Sequence, residues 1–255
     1  MSMHHLGSSF DIHTGGIDLI FPHHEDEIAQ SEAATGKPFV RTWLHCDHLR
    51  LGGTKMARRV GNIARVADLL DAGVSPRALR YALIAVHYRQ ALEYTPESLA
   101  AAAAAIERLD AADLALDAYV EVRDDAADLP AVLADARRRF EAALDDDLNV
   151  SAALAALFDL VRELNRRMAD RSMSTADAAR GLGVLRALDR IFAILPDETP
   201  DLPAGAADLL AQRETARARR DWAASDRLRD ELAALGVAVE DTRDGQRWRL
   251  LEPAR

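Results

Sequence analysis

Two Xaa-Pro pairs constrain the folding of this chain most. Ser75-Pro76 and Thr95-Pro96 each set a hydroxyl residue before a proline. Proline is tolerated in the first turn of a helix, where its missing N–H has no intrahelical partner to lose. Each pair therefore reads as an N-cap followed by the first helical position. Beyond the second pair, Leu99, Ile106, Leu109, Leu114 and Leu116 recur at roughly helical spacing. Between Asn149 and Arg171, Leu154, Leu157, Phe158, Val161 and Leu164 make an apolar stripe. Residues 61–195 are thus expected to form connecting helices and a helical bundle. The alanine run 100–105 favours helix and needs no special function.

The flanks read differently. Residues 1–60 hold seven of the eight histidines, the single cysteine and six glycines, with short apolar runs at Phe10–His13 and Phe39–His45. That pattern predicts α/β structure with functional loops. Residues 196–206 carry three prolines and no periodicity, as a linker would. Residues 207–255 then suggest two helices, Ala207–Arg220 and Trp222–Leu235, closed by Gly236. A hairpin should follow, with Val237–Glu240 and Gln246–Leu250 around Asp244-Gly245. The expected fold class is an α/β segment, a mainly α bundle and a small α+β C-terminal domain.

Charge narrows the function. The net charge of −10 excludes a molecule that binds polyanions over its whole surface. Residues 205–255 carry ten arginines against ten acidic residues, so the excess negative charge lies upstream and the tail is the best place for RNA. One cysteine, Cys46, excludes an internal disulfide and fits a reducing compartment. No stretch of 18 apolar residues and no apolar leader is present, so a cytoplasmic protein that meets no membrane is expected.

The densest chemistry lies between Phe10 and Gln30. Gly15-Gly16 offers backbone that a ligand can approach, and Asp18 is spaced to accept from ribose hydroxyls. His23 and Glu27, four residues apart on one helical face, can chelate a metal, although two ligands do not make a site. The run Lys55-Met56-Ala57-Arg58-Arg59 reads by itself as a solvated basic surface.

These residues resemble a known family. Gly15 to Glu27 is similar to the signature of cysteinyl-tRNA synthetases, Gly-Gly-x-Asp-Leu-x-Phe-Pro-His-His-Glu-x-Glu. The resemblance implies that residues 1–60 form the second part of a class I, Rossmann-type catalytic domain, with Gly15, Gly16 and Asp18 in the ATP site and zinc on His23 and Glu27. It also implies two further cysteine ligands outside this sequence; Cys46 occupies no ligand position of the family. Zinc there binds the substrate thiolate and separates cysteine from serine. The run 55–59 resembles a degenerate Lys-Met-Ser-Lys-Ser loop, which makes Lys55 and Arg58 the catalytic and phosphate-holding residues. Ala57 removes a hydroxyl, and Arg58 and Arg59 replace lysine and serine. Residues 217–249 resemble the family's anticodon-binding domain, implying that Arg217, Asp226 and Asp241 face anticodon bases.

The implied function is attachment of cysteine to tRNA-Cys. The sequence lacks the His-Ile-Gly-His signature, so the expectation is a truncated or split form, with an incomplete zinc site, unable to catalyse alone. It would pair with an N-terminal synthetase fragment or with itself. The alternatives are a non-catalytic tRNA-binding paralogue, or half of a cysteine amide ligase that needs a partner chain. The tail argues against the latter, because such ligases need no anticodon domain.

Overall fold

The computed structural model describes residues 2–57, 59, 61–196, 202–242 and 245–251. The chain divides into two compact units, residues 1–195 and 196–255.

The first unit opens with a short helix, α1 (Ser2–Leu6), and a βαβ arrangement: β1 (Phe10–Gly16), α2 (Glu25–Thr35) and β2 (Val40–Cys46). β1 and β2 run parallel, from Phe10 opposite Val40 to Gly16 opposite Cys46. Parallel neighbours require a crossover connection, and α2 supplies it. Helix α2 ends at Gly36, whose φ of 67° is the left-handed C-cap that glycine adopts without strain. A small sheet follows. β3 (Leu49–Leu51) lies between β4 (Thr54–Lys55), antiparallel to it, and β5 (Leu92–Tyr94), parallel to it. The sequence pattern did not suggest these strands, which are too short for alternation to show.

Helices α3 (Val66–Asp71) and α4 (Pro76–Ile84) lead into the long helices α5 (Pro96–Asp117), α6 (Leu129–Asp145), α7 (Val150–Ala169) and α8 (Thr175–Phe192). The two Xaa-Pro pairs start α4 and α5 as expected, by different means. Thr95 accepts from the Ser98 N–H while Ser98 Oγ accepts from the Thr95 N–H, a reciprocal cap. Ser75 makes no side-chain cap bond, so Pro76 alone marks that start. Leu109, Leu129, Leu157, Leu164 and Leu185 are fully buried among the long helices.

The end of α8 is tied to α4. Asp189, buried, accepts from the N–H groups of Ile194 (3.1 Å) and Leu195 (2.9 Å) as the chain turns back at Ala193. Arg77 Nε donates to the Ile194 carbonyl at 2.7 Å, and Arg80 Nε to that of Phe192. Asp147 and Leu148, before α7, both adopt positive φ, of 55° and 54°. Side chains hold that turn: Tyr88 Oη and Arg89 Nε each donate to Asp147 at 2.5 Å.

The second unit has helices α9 (Ala206–Ala218) and α10 (Trp222–Ala234) and an antiparallel hairpin, β6 (Val237–Thr242) with β7 (Gly245–Leu250). Ala206, Leu210, Leu232 and Val237 form its core. Gly236, at φ 79°, links α10 to β6. The expected turn residue Asp244 lies outside the described residues, as do residues 197–201 of the expected linker. Among the described residues no helix is long and apolar enough to cross a membrane.

Candidate functional site

The carboxyl end of β1 is where the chemistry gathers, as is usual for ligand sites on open parallel sheets. Gly15 and Gly16 close the strand. A Cβ on Gly15 would stand 2.5 Å from His24 Cε1, and one on Gly16 would stand 2.5 Å from Asp18 Oδ1. The missing side chains therefore make room for His24 and Asp18, where the sequence suggested room for a ligand.

His24 is buried and anchors a histidine cluster that the sequence reading passed over. Its Nδ1 lies 2.8 Å from His45 Nε2 on β2. His13 sits beside Trp43 in the strand register, and their rings stack with centroids 4.6 Å apart. Burial, then the charges of His13 and His45, push the His24 pKa below the ordinary imidazole value. Its neutral form, the one that ligates metals, is therefore favoured. The signal in the sequence was histidine density; placing the rings together needed the parallel register of two strands.

Glu27 joins this cluster. One ligand atom from each of His13, His24 and Glu27 lies within 4.8 Å of the other two. Glu27 Oε2 is 2.9 Å from His13 Nε2, yet it is buried and takes no hydrogen bond, so the two are close without being aligned. Tetrahedral zinc bonds of ~2.0–2.2 Å set ligand atoms about 3.4 Å apart, so the donor types suit a His₂-carboxylate site that would close in around an ion. His23, the histidine singled out with Glu27, is more exposed and stands 3.7 Å from Glu27 Oε1. Glu27 thus lies between His13 on one side and His23 on the other. Cys46 is free and belongs to no metal-ligand group among the described residues.

Two of the residues read as nucleotide-binding meet across 37 positions. Lys55 Nζ lies 2.7 Å from Asp18 Oδ2, and His48 Nδ1 is 3.8 Å from Asp18 Oδ1. The Lys55 ammonium holds the Asp18 carboxyl below its usual range. Asn62 closes the loop after Lys55, accepting from the Ala57 N–H (2.9 Å) and donating to the Lys55 carbonyl (3.2 Å). Arg58 lies outside the described residues.

In the second unit, Asp241 accepts from both Arg213 Nη groups (2.9 and 3.0 Å) and is ion-paired with Arg217, whose Nη1 lies 2.8 Å from Oδ2. Arg217 also lies over the Trp222 ring, 5.5 Å from its centroid. Asp226, largely exposed, pairs only loosely with Arg229, at 3.3 Å. The structure thus joins Arg217 to Asp241 and gives Asp226 a separate partner.

Family models match along most of the chain. Residues 1–104 match the tRNA synthetases class I (C) catalytic domain, residues 139–196 the DALR domain, and residues 199–249 the cysteinyl-tRNA ligase anticodon binding domain. Cysteine–tRNA ligase of Pseudomonas aeruginosa (strain UCBPP-PA14) is 43% identical over 254 residues, covering 97% of this chain and 53% of that protein. This chain belongs to the cysteinyl-tRNA synthetase family. The Chlamydia muridarum cysteine–tRNA ligase is 40% identical, with 97% of this chain and 54% of that protein covered. The chain therefore spans about half the length of the curated relatives it matches.

Solved structures agree on the fold. Agrobacterium radiobacter K84 LeuRS, in a ternary complex with tRNA and LeuAMS, gives a TM-score of 0.56 at 17% identity, covering 72% of this chain and 26% of that one. Mycobacterium tuberculosis methionyl-tRNA synthetase bound by methionyl-adenylate gives 0.55 at 22% identity, covering 85% and 46%. The α/β segment is part of a class I synthetase Rossmann-type domain, followed by the helical bundle and the small α+β unit. The DALR and anticodon-binding matches support tRNA binding.

Proposed function

We propose that this chain serves the ATP-dependent attachment of cysteine to tRNA-Cys in the cytoplasm, as a form that does not catalyse alone. One observation carries the reading. The Asp18–Lys55 pair and the His13–His24–Glu27 group both gather beside Gly15-Gly16 at the carboxyl end of β1, within a synthetase family.

Asp18 would accept from the ribose of ATP, and Lys55, paired with it here, would offer its charge to the phosphates. Arg58 has the same phosphate-holding role on the family pattern. A zinc ion would be held by Glu27, with His23 on the family pattern or with His13 and His24 on geometry. Zinc, when bound, supplies a borderline-soft Lewis acid for a thiolate sulfur. His45 fixes the orientation of the His24 ring, as second ligand layers commonly do. In the second unit Arg217, Asp241 and, from its separate pair with Arg229, Asp226 face anticodon bases on the family pattern.

A second reading, a tRNA-binding protein without catalysis, is favoured by Ala57 and Arg59 in the phosphate loop. A cysteine-dependent ATP–pyrophosphate exchange assay separates the two. The isolated chain should give no exchange above a no-enzyme control, and any such exchange would refute its inactivity. Adding an N-terminal synthetase fragment should restore exchange on the first reading and leave none on the second. Ile12, Ile17 and Phe21 are exposed apolar residues of the α/β segment and give such a fragment, or a second copy, a surface to cover. A tRNA with a GCA anticodon should bind weakly and with steep salt dependence. Arg217→Ala should weaken it, and equal affinity for a tRNA with altered anticodon bases would remove the anticodon role.

A further inference from the structure

Arg213, only 1% exposed, is the most deeply buried charged side chain among the described residues of the second unit. A guanidinium placed there needs a built partner set, because an unpaired buried charge is costly. The fold supplies one from two strands. Asp241 on β6 and Gln246 on β7 are direct partners in the hairpin register. Arg213 donates to both: twice to the Asp241 carboxylate, and from Nη1 to Gln246 Oε1 at 2.9 Å. Gln246 Nε2 in turn donates to the Leu210 carbonyl at 2.6 Å, one turn earlier on α9. Arg213 therefore pins the hairpin to α9 in a single register.

The same carboxylate then serves a second guanidinium. Arg217 is one helical turn beyond Arg213, on the same face of α9, and reaches Asp241 Oδ2 at 2.8 Å. A carboxylate has about four acceptor sites, and the hydrogen bonds from Arg213 use two of them. A remaining site can take an amino group of a base. Because Arg213 holds both oxygens in a planar fork, the orientation of the carboxylate and of its remaining sites is set. Arg217, 35% exposed on its side chain, presents its remaining N–H donors from a fixed position beside Trp222. The two guanidiniums and one carboxylate leave one positive charge on this surface.

We propose that Arg213 is a positioning residue for base selection: without meeting RNA itself, it aims Asp241 and Arg217 and so determines which unpaired base they accept. This rests on the reading of the second unit as the anticodon reader. Arginine is required, because lysine carries the charge but cannot make the fork.

The test uses the full chain and two RNA stem-loops, one with a GCA anticodon and one with a single anticodon base changed. The quantity read is the ratio of the two dissociation constants, followed as a function of salt. Arg213→Lys should lower that ratio by about tenfold, the size of one lost base contact. The salt slope should stay as in wild type, because no phosphate contact is touched. The indole N–H signal of Trp222 should shift as Arg217 moves toward Asp241. Gln246→Ala, which leaves the Arg213–Asp241 fork in place, should give a smaller fall in the ratio and covers the case in which Arg213→Lys does not fold. A folded Arg213→Lys chain that weakens both RNAs equally, with the ratio unchanged, overturns the inference and leaves the anticodon reading intact. A wild-type chain that holds both RNAs equally overturns both.

Discussion

The α/β segment and the helical bundle lie in one compact unit but bury their apolar residues very differently. Among the described residues of 1–60, Phe39 is the only buried apolar side chain, and the buried polar ones are His24 and Ser31. Ile12 and Phe21 stand 62% and 78% exposed. A parallel strand pair normally has both faces covered, and here much of the apolar surface faces outward. In the bundle, a continuous core runs from Ala78 to Leu195, and even its charges are matched: Arg167, buried, is held by a bidentate bond to Asp128 and a further one to Glu163. The bundle therefore carries its own stability, whereas the α/β segment is organised around polar contacts that arrange a site. A helix can satisfy its backbone within itself, but a two-stranded parallel sheet cannot bury much by its own means.

The sharpest way to break this contrast is to remove one apolar side chain from each region and compare the thermal transitions. Leu164 is fully buried and packs so closely against Gly181 that a Cβ there would lie 2.8 Å from Leu164 Cδ2. Leu164→Ala should cost about 3 kcal/mol, within the range for buried leucines. Phe21→Ala should stay within about 0.5 kcal/mol, as exposed substitutions do. A large loss from Phe21→Ala would mean that its face is covered in solution, by a second copy or another segment, and the contrast would fail.

A smaller effect compares the two helix starts. Thr95→Ala removes a reciprocal cap and should cost about 1 kcal/mol in urea unfolding. Ser75→Ala should cost close to nothing, because Ser75 makes no cap bond. Equal costs would show that Ser75 caps in solution.

The smallest effect is one of pH. Burial raises the Asp189 pKa, against the opposing pull of the Ile194 and Leu195 amides and the charges of Arg77 and Arg80. A carboxyl raised on folding takes up its proton in the native state first. Its contribution is thus fully present below the unfolded value of about 4 and is lost as pH rises through the folded value. The paired carboxylates Asp128, Asp159 and Glu163, whose pKa values are lowered, lose stability only below their own unfolded values of about 4. Going from pH 7 to 5, the bundle should hold or gain slightly in stability, and Asp189→Asn should flatten that slope. A wild-type bundle that weakens over this range would contradict the assignment.

The sequence made regular elements readable where local chemistry decides them. Thr95-Pro96 marks a helix start without help from the rest of the chain, and the stripe from Leu154 to Leu164 is a buried face wherever the helix docks. The small hairpin was visible as two runs around a turn. What escaped was set by partners distant in sequence. His13 and Trp43 are neighbours only once β1 and β2 pair, and His24 lies against Gly15 only after the turn between β1 and α2 has formed. Asp241 and Gln246 meet Arg213 through the hairpin register, and one arginine in an arginine-rich tail carries no pattern. Asp147 and Leu148 show no turn-favouring glycine; Tyr88 and Arg89 hold them in a conformation their own side chains disfavour.

The bond from Arg77 to the carbonyl of Ile194 joins residues 117 positions apart. On a translating ribosome α4 leaves the exit tunnel before α8 and then waits. Its two arginines have no carbonyls to grip until the end of α8 has left the exit tunnel, and at ~5–20 residues per second that delay is on the order of ten seconds. For that interval the segment before it, with its sparse apolar burial, has no finished bundle to lean on. Helix α4 therefore reaches its final fastening only when the closing turn of α8 is made.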